Sequence, residues 1–365
     1  MITEKKEVTC MSDAYYVKDH LRPGGTDSDA IDRCFAAANG AQGHRTVVFD
    51  GKDFRIDRAI CVSSGTQVIV DDCAIRQNDG VFDNIFRGDN LVLNGIDPYG
   101  IPLDVTPLSD IRIIGKGGAR LIGTGKPRVG YHPFFREYQE MTGDFWGWRT
   151  LMISFSCCDG FELAGFRLEQ TMCWAVSFDN CQNCHIHDLD IHSHVKNGDG
   201  IDFRSGCHHC VVENITGFTS DDTVACTALA TGKAEPVPSK YLSTLEPYND
   251  SRETIDGDIS HITVRNIFTG GHHHGVICLA AFGNQVRDIN ISDIRESGEG
   301  DREAAVKIYT GYGDGYKSGD IRDIRIDNVV SNIAKYAVLI QCDAANVTTE
   351  NIVQNKPDGT PVGKK

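Results

Sequence analysis

One hexapeptide pattern returns along this chain: apolar and polar residues alternate, an Asn or Asp follows, and an apolar residue closes the unit. Ile262-Thr263-Val264-Arg265-Asn266-Ile267, Ile289-Asn290-Ile291-Ser292-Asp293-Ile294 and Ile324-Arg325-Ile326-Asp327-Asn328-Val329 show it most clearly. Further copies start at Phe161, Cys184, Cys210 and Val347, so the steps are 23, 26, 52, 27, 35 and 23 residues. Alternation at period two is that of a strand with one buried face. The Asn or Asp stands where the strand must turn, and its side chain can bond the backbone of that turn. The step of 52 reads as about two coils with an insertion over 231–256, rich in Pro and charge.

A repeat of this length matches three short strands and their turns, the coil of a parallel β-helix. Leucine-rich and ankyrin repeats are excluded, because neither their spacing nor a helical period is present. The expected fold is all-β: a right-handed single-stranded parallel β-helix forming one domain over 1–365, with regular coils over about 150–355. With 38 Gly in 365 residues and no helical bulk, composition agrees. The exception is 26–40, where Thr26 precedes early acids and apolar residues at helical spacing. A solenoid leaves an apolar end to cover, and this helix is expected to plug it.

Net charge is −15, from 51 acidic and 36 basic residues, which leaves no basic stripe for nucleic acid. No apolar run reaches 18 residues, so no membrane span is expected. The first residues lack the apolar core of a signal peptide, which favours a cytoplasmic location unless the N-terminus has been trimmed. Fourteen cysteines could signal disulfides or, at Cys181-x-x-Cys184 and Cys207-x-x-Cys210, zinc. Those two pairs occupy equivalent places in adjacent coils, with Cys158 one coil earlier, so reduced thiols stacked in the interior are the better reading.

Four other strings share one phase of the repeat: Asn197-Gly198-Asp199-Gly200-Ile201-Asp202, Ser220-Asp221-Asp222, His274-Gly275 and Lys307-Ile308-Tyr309. Equal phase in a solenoid means one face, so these residues should line a groove. Asp221 and Asp222 would point oppositely on a regular strand, and a turn or bulge is needed to bring both into the groove. With Asp199 they make three carboxylates that cannot all ionise cheaply, so at least one should keep its proton near neutral pH. A protonated carboxylic acid beside ionised carboxylates suits glycosidic cleavage. Of His272-His273-His274, strand alternation places neighbours on opposite faces, which argues against a metal site.

In these motifs the chain resembles glycoside hydrolase family 28, the polygalacturonases and their relatives, over roughly residues 149–342. Family members carry Asn-Thr-Asp-Gly-Ile-Asp, Gly-Asp-Asp, Gly-His-Gly and Arg-Ile-Lys. Here Gly198 replaces the Thr, Ser220 the Gly before the paired acids and His273 the Gly before His274, while Lys307 and Tyr309 take the Arg and Lys positions. The resemblance implies inverting hydrolysis of α-glycosidic bonds, with Asp221 as general acid, Asp199 and Asp222 holding the water, and His274 bonded to the acid or the sugar. It places Lys307, Tyr309, Tyr336 and Trp174 against substrate. Loss of the Arg/Lys pair puts galacturonate in doubt, since Lys lacks the two-point grip of Arg and Tyr carries no charge. Insertions over 126–148 and 231–256 would wall off the groove and favour exo action on short oligosaccharides.

The expected partner is an oligosaccharide or polysaccharide that may carry uronate or rhamnose, with no cofactor or metal. A lyase or epimerase on the same fold, with Lys307 and Tyr309 as cation and proton donor, and a non-catalytic carbohydrate-binding β-helix are the alternatives.

Overall fold

The computed structural model describes residues 14–41, 43–93, 102–104, 106–132, 136–140, 142, 151–229, 257–311 and 315–365. The chain winds as a right-handed parallel β-helix. One long parallel ladder runs from Ala14–Tyr16 through Cys158–Ala164, Gln182–Ser193, His208–Thr219, Ile259–Gly271, Val286–Gly300 and Ile321–Ser331 to Ala345–Gln354. A second ladder runs from Ile60–Val62 through Ile153–Ser156, Val176–Asp179, Ile201–Phe203, Val224–Ala228, His274–Ala280, Arg302–Thr310 and Ala334–Gln341 to Thr360–Lys364. Short strands such as Ala74–Gln77, Arg120–Ile122 and Arg167–Glu169 form a third face that merges with the long ladder at Gln182–Ser193.

The hexapeptides explain the long ladder. Their apolar positions stack in columns, as in Phe161 on Cys184 and Ile262 on Ile289 and then Ile324, and these five are buried, while Val347 and Ile352 of the last unit are half-buried. The Asn or Asp of each unit takes a left-handed conformation: φ is 54° at Asp188, 58° at Asn214, 53° at Asn266, 56° at Asp293, 54° at Asn328 and 53° at Asn351. Among L residues with a Cβ, Asn and Asp adopt this conformation most readily. Their side chains act differently from the expected turn caps, because they bond from coil to coil. Asn214 Nδ2 donates to Asp188 Oδ1 at 2.9 Å and Asn266 Nδ2 to Asn214 Oδ1 at 2.6 Å.

The step of 52 is corrected. Cys210 pairs directly with Ile262, and Val224 with Val276, so it is one coil carrying an insertion. An inserted loop and an added coil are the same length here, and a count of residues does not separate them. The insertion at 231–256 lies outside the described residues, as do 133–135, 141 and 143–148 of that at 126–148, where Val129–His132 pairs antiparallel with Glu137–Glu140.

The expected plug is the helix Asp27–Asn39, with Thr26 and Asp29 closing a reciprocal capping box. It buries Ala30, Ile31, Cys34, Phe35 and Ala38 in the same core as the coils. The cysteines stack as expected: Asp159 pairs with Gln182 and Gln182 with His208, so Cys158, Cys181 and Cys207, one residue earlier, form one interior column. Hydrogen bonding with Cys181 and Cys210, and then burial, push the Cys184 thiol upward, whereas at Cys207 burial comes first and the neighbouring cysteines add to it. No described helix is long and apolar enough to cross a membrane.

Candidate active site

The phase-matched strings meet on the second ladder. Ala175 N–H donates to Asp199 O at 2.9 Å, Gly200 N–H to Asp222 O at 2.8 Å and Thr223 N–H to His274 O at 3.1 Å. His274 then pairs with Ala304, and Ala304 with Tyr336. Counting back from Val176 paired with Ile201 places Trp174 beside Asp199. One row across the strands therefore reads Trp174, Asp199, Asp222, His274, Ala304, Tyr336, each step being the ~4.8 Å between hydrogen-bonded strands.

The strand His208–Thr219 ends just before Ser220, and Val224–Ala228 begins after Thr223, so Asp221 and Asp222 lie on the corner between them. Thr219 Oγ1 donates to Asp221 O at 3.0 Å, and the Asp222 N–H donates to Asp221 Oδ1 at 3.0 Å. Regular alternation is broken here, and both carboxylates join Asp199, with one oxygen from each lying within 4.8 Å of the others. Burial, and next the charge of Asp222, raise the Asp221 carboxyl from 3.8 to about 6. Among the described residues this is the one group of three His, Cys, Asp or Glu side chains close enough to share a metal ion, and neither CxxC pair forms another. Oxygen donors of this kind suit a hard cation. A proton on Asp221 relieves the same repulsion without one.

Two departures from the family motif stand side by side. A Cβ on Gly198 would stand 2.5 Å from Ser220 Oγ and 2.3 Å from Ser193 Oγ. Ser220, whose hydroxyl donates to Val195 O, occupies part of the space that a Thr at 198 would need, and Ser193 Oγ and Val195 O, the latter 2.6 Å from that Cβ, occupy the rest.

The histidines differ from expectation. His273 has φ 53°, which breaks alternation and turns both His273 and His274 toward the carboxylates. His273 Nδ1 stands 3.5 Å from Asp221 Oδ1. His274 Nδ1 lies 2.7 Å from Asp222 Oδ1, so it contacts a carboxylate assigned to the water and not the acid. Its Nε2 lies 3.2 Å from Glu303 Oε2, and Lys307 Nζ donates to that same oxygen at 2.6 Å. The Lys307 and His274 bonds draw the Glu303 carboxyl down to about 2, against the opposing effect of burial. Sequence reasoning passed over Glu303, although Glu303-x-Ala305-x-Lys307 at strand period was a usable signal.

Lys307 Nζ also sits 4.7 Å from the centre of the Tyr309 ring. Tyr336 ends the row, with Lys335 and Lys365 over its ring at 5.5 and 4.9 Å. Trp174 is in the row but only 4% exposed, packed with Leu151 and Cys173 and with the Arg204 guanidinium 4.8 Å from its ring centre. It presents no open ring face for a sugar.

Behind the acidic corner lies a polar network that the sequence reading also missed. Thr219 Oγ1 and Thr223 Oγ1 are 2.8 Å apart, and Thr223 and Thr269 hydroxyls 3.1 Å apart. Arg302, its side chain 1% exposed, donates to Thr223 Oγ1 at 2.8 Å, Thr269 Oγ1 at 3.1 Å and Gly270 O at 2.7 Å. Burial pulls the Arg302 guanidinium down to about 10, opposed by the nearby charges of Glu296 and Asp222.

No protein-family model matches this chain, and no curated protein matches it. Solved structures do. An exopolygalacturonase from Thermotoga maritima is 15% identical with TM-score 0.53, covering 94% of this chain and 88% of that one. A polygalacturonase from Erwinia carotovora ssp. carotovora is 14% identical with TM-score 0.56, covering 94% of each. An iota-carrageenase complexed to iota-carrageenan fragments is 10% identical with TM-score 0.61, covering 98% of this chain and 92% of that one. At these identities the likeness is one of fold.

Proposed function

We propose that this chain is a glycoside hydrolase that cleaves α-glycosidic bonds in oligosaccharides or polysaccharides. The observation that carries the reading is the Asp199, Asp221, Asp222 cluster, in which Asp221 holds its proton up to about pH 6 beside two further carboxylates. Asp221 then protonates the departing glycosidic oxygen, and Asp222 with Asp199 orients and deprotonates the water. His274 and Glu303 hold Asp222 in place from behind. The likeness of fold to a polygalacturonase, and to an iota-carrageenase complexed to iota-carrageenan fragments, supports a saccharide as the substrate class.

Two finer points belong to the proposal. Exo action is the course expected from the insertions over 126–148 and 231–256, long loops of the kind that wall off one end of a solenoid groove. Inversion is the course implied by the family resemblance. Retention is the alternative, and either course would draw on the same three carboxylates. The anomer first released, followed by NMR, decides between them.

The test is incubation of the protein and its Asp221→Asn variant with α-linked oligosaccharides, products being followed by chromatography and ultraviolet absorbance. New reducing ends that vanish in the variant, without an absorbing double bond, support hydrolysis. Absorbing products identify a lyase, and products undiminished by the substitution remove Asp221 from the chemistry.

A further inference from the structure

Lys307 stands where a cation would meet an anionic sugar, on the strand following His274 and one side chain away from it through Glu303. Its ammonium is already engaged. Glu303 Oε2 takes it at 2.6 Å, the Tyr309 ring lies beneath it at 4.7 Å, and its side chain is 11% exposed. On either side in the ladder stand Ile277 and Leu339, both apolar and buried. The outer member of the ion pair is the carboxylate, since the Glu303 side chain is 39% exposed.

A sugar approaching the acidic corner on this side therefore meets a carboxylate before it meets the ammonium. A substrate carboxylate there would have to displace Glu303 from Lys307 or lie against it as a like charge, and either lowers affinity. A hydroxymethyl or hydroxyl group faces no such cost. Hydroxyls both donate and accept, and the Glu303–Lys307 pair offers an acceptor and a donor side by side.

From this pairing we infer that the glycosyl unit seated over Glu303 and Lys307 is neutral, with hydroxyls and no carboxylate. The inference rests on the hydrolase reading above and narrows its substrate class. Glu303 acts as the residue that sets specificity, by neutralising the site's own cation.

The test uses matched α-linked di- and trisaccharides across several sugars, each uronate set against its C6-hydroxymethyl counterpart. Binding is measured by calorimetry on the Asp221→Asn protein, with and without Glu303→Gln or Glu303→Asp, and hydrolysis is measured on the unaltered protein. Expected are neutral members bound at least about tenfold tighter than uronates, a ratio reduced about tenfold or reversed by Glu303→Gln, and a ratio kept by Glu303→Asp. Tighter binding of uronates, or a ratio unmoved in a folded Glu303→Gln protein, overturns the inference. If uronates are preferred and cleaved in an Asp221-dependent way, only the inference falls. If neither member of any pair binds, the hydrolase reading falls with it.

Discussion

His274 Nδ1 lies 2.7 Å from Asp222 Oδ1, joining adjacent coils across 52 residues of sequence. Asp222 is thereby oriented, while burial, and next the charge of Asp222, raise the carboxyl of its neighbour Asp221 to about 6. Two consecutive aspartates thus have different environments and, in the proposed reaction, different tasks.

The first prediction follows from the proton on Asp221. With its carboxyl raised to about 6, kcat/KM should fall as pH rises through 6, because the acid form is lost. Asp221→Asn should lower kcat by about 10²–10⁴-fold while leaving the circular dichroism spectrum intact.

The same shift has a stability consequence of definite sign. Between 3.8 and about 6 the folded chain keeps a proton that the unfolded chain has released, so stability falls as pH rises through that window. The loss amounts to about 3 kcal/mol at most. Asp221→Asn removes it, and the melting temperature of the variant relative to the parent should rise between pH 4 and pH 7. A difference independent of pH would show that Asp221 is not perturbed.

Arg302 should matter for folding out of proportion to its distance from solvent. Arg302→Met takes away the guanidinium 3.9 Å from buried Glu296 and the hydrogen bonds that Arg302 donates to Thr223 Oγ1, Thr269 Oγ1 and Gly270 O. Loss of about 3–5 kcal/mol is expected by urea unfolding. Arg302→Lys should recover only part, because a single ammonium does not reproduce the guanidinium fork.

Gly198 and Ser220 should behave as a coupled pair. Gly198→Thr places a side chain against Ser193 and Ser220 and should destabilise the chain by about 1–3 kcal/mol. Adding Ser220→Gly removes one of three close contacts and leaves Ser193 Oγ at 2.3 Å and Val195 O at 2.6 Å, so the double variant should recover only part of that loss. Additive losses in thermal unfolding would sink the coupling.

At the N-terminal plug, Thr26→Ala removes an acceptor for the Asp29 N–H at 3.1 Å and should cost about 1 kcal/mol. Thr26→Ser should keep most of it, as read by thermal unfolding.

The coil was legible because its spacing is written in side chains that occupy one column each: Ile262, Ile289 and Ile324 announce a buried stack, and Asn214 and Asn266 announce its corner. The corner residues were placed correctly, but their bonding was not, since sequence does not say that an amide will find its neighbour one coil on. The acidic cluster was legible for the same reason of phase, together with its departure from strand geometry at Asp221 and Asp222. What failed were arguments that assumed regularity. His273 takes a left-handed turn that alternation does not foresee, and the 52-residue step counted a loop as a coil. Glu303 was missed because its partner Lys307 had been assigned to the substrate, and a cation read in isolation carries no sign of an anion four residues earlier.

The transverse row from Trp174 to Tyr336 is ruled by backbone hydrogen bonds, so its pitch belongs to the polypeptide and not to the residues displayed on it. Substitution can rewrite any rung, but no substitution can move one rung closer to the next. A protein built in this way acquires a new preference by changing its alphabet at fixed intervals, and only the gain or loss of a whole coil would alter the ruler itself.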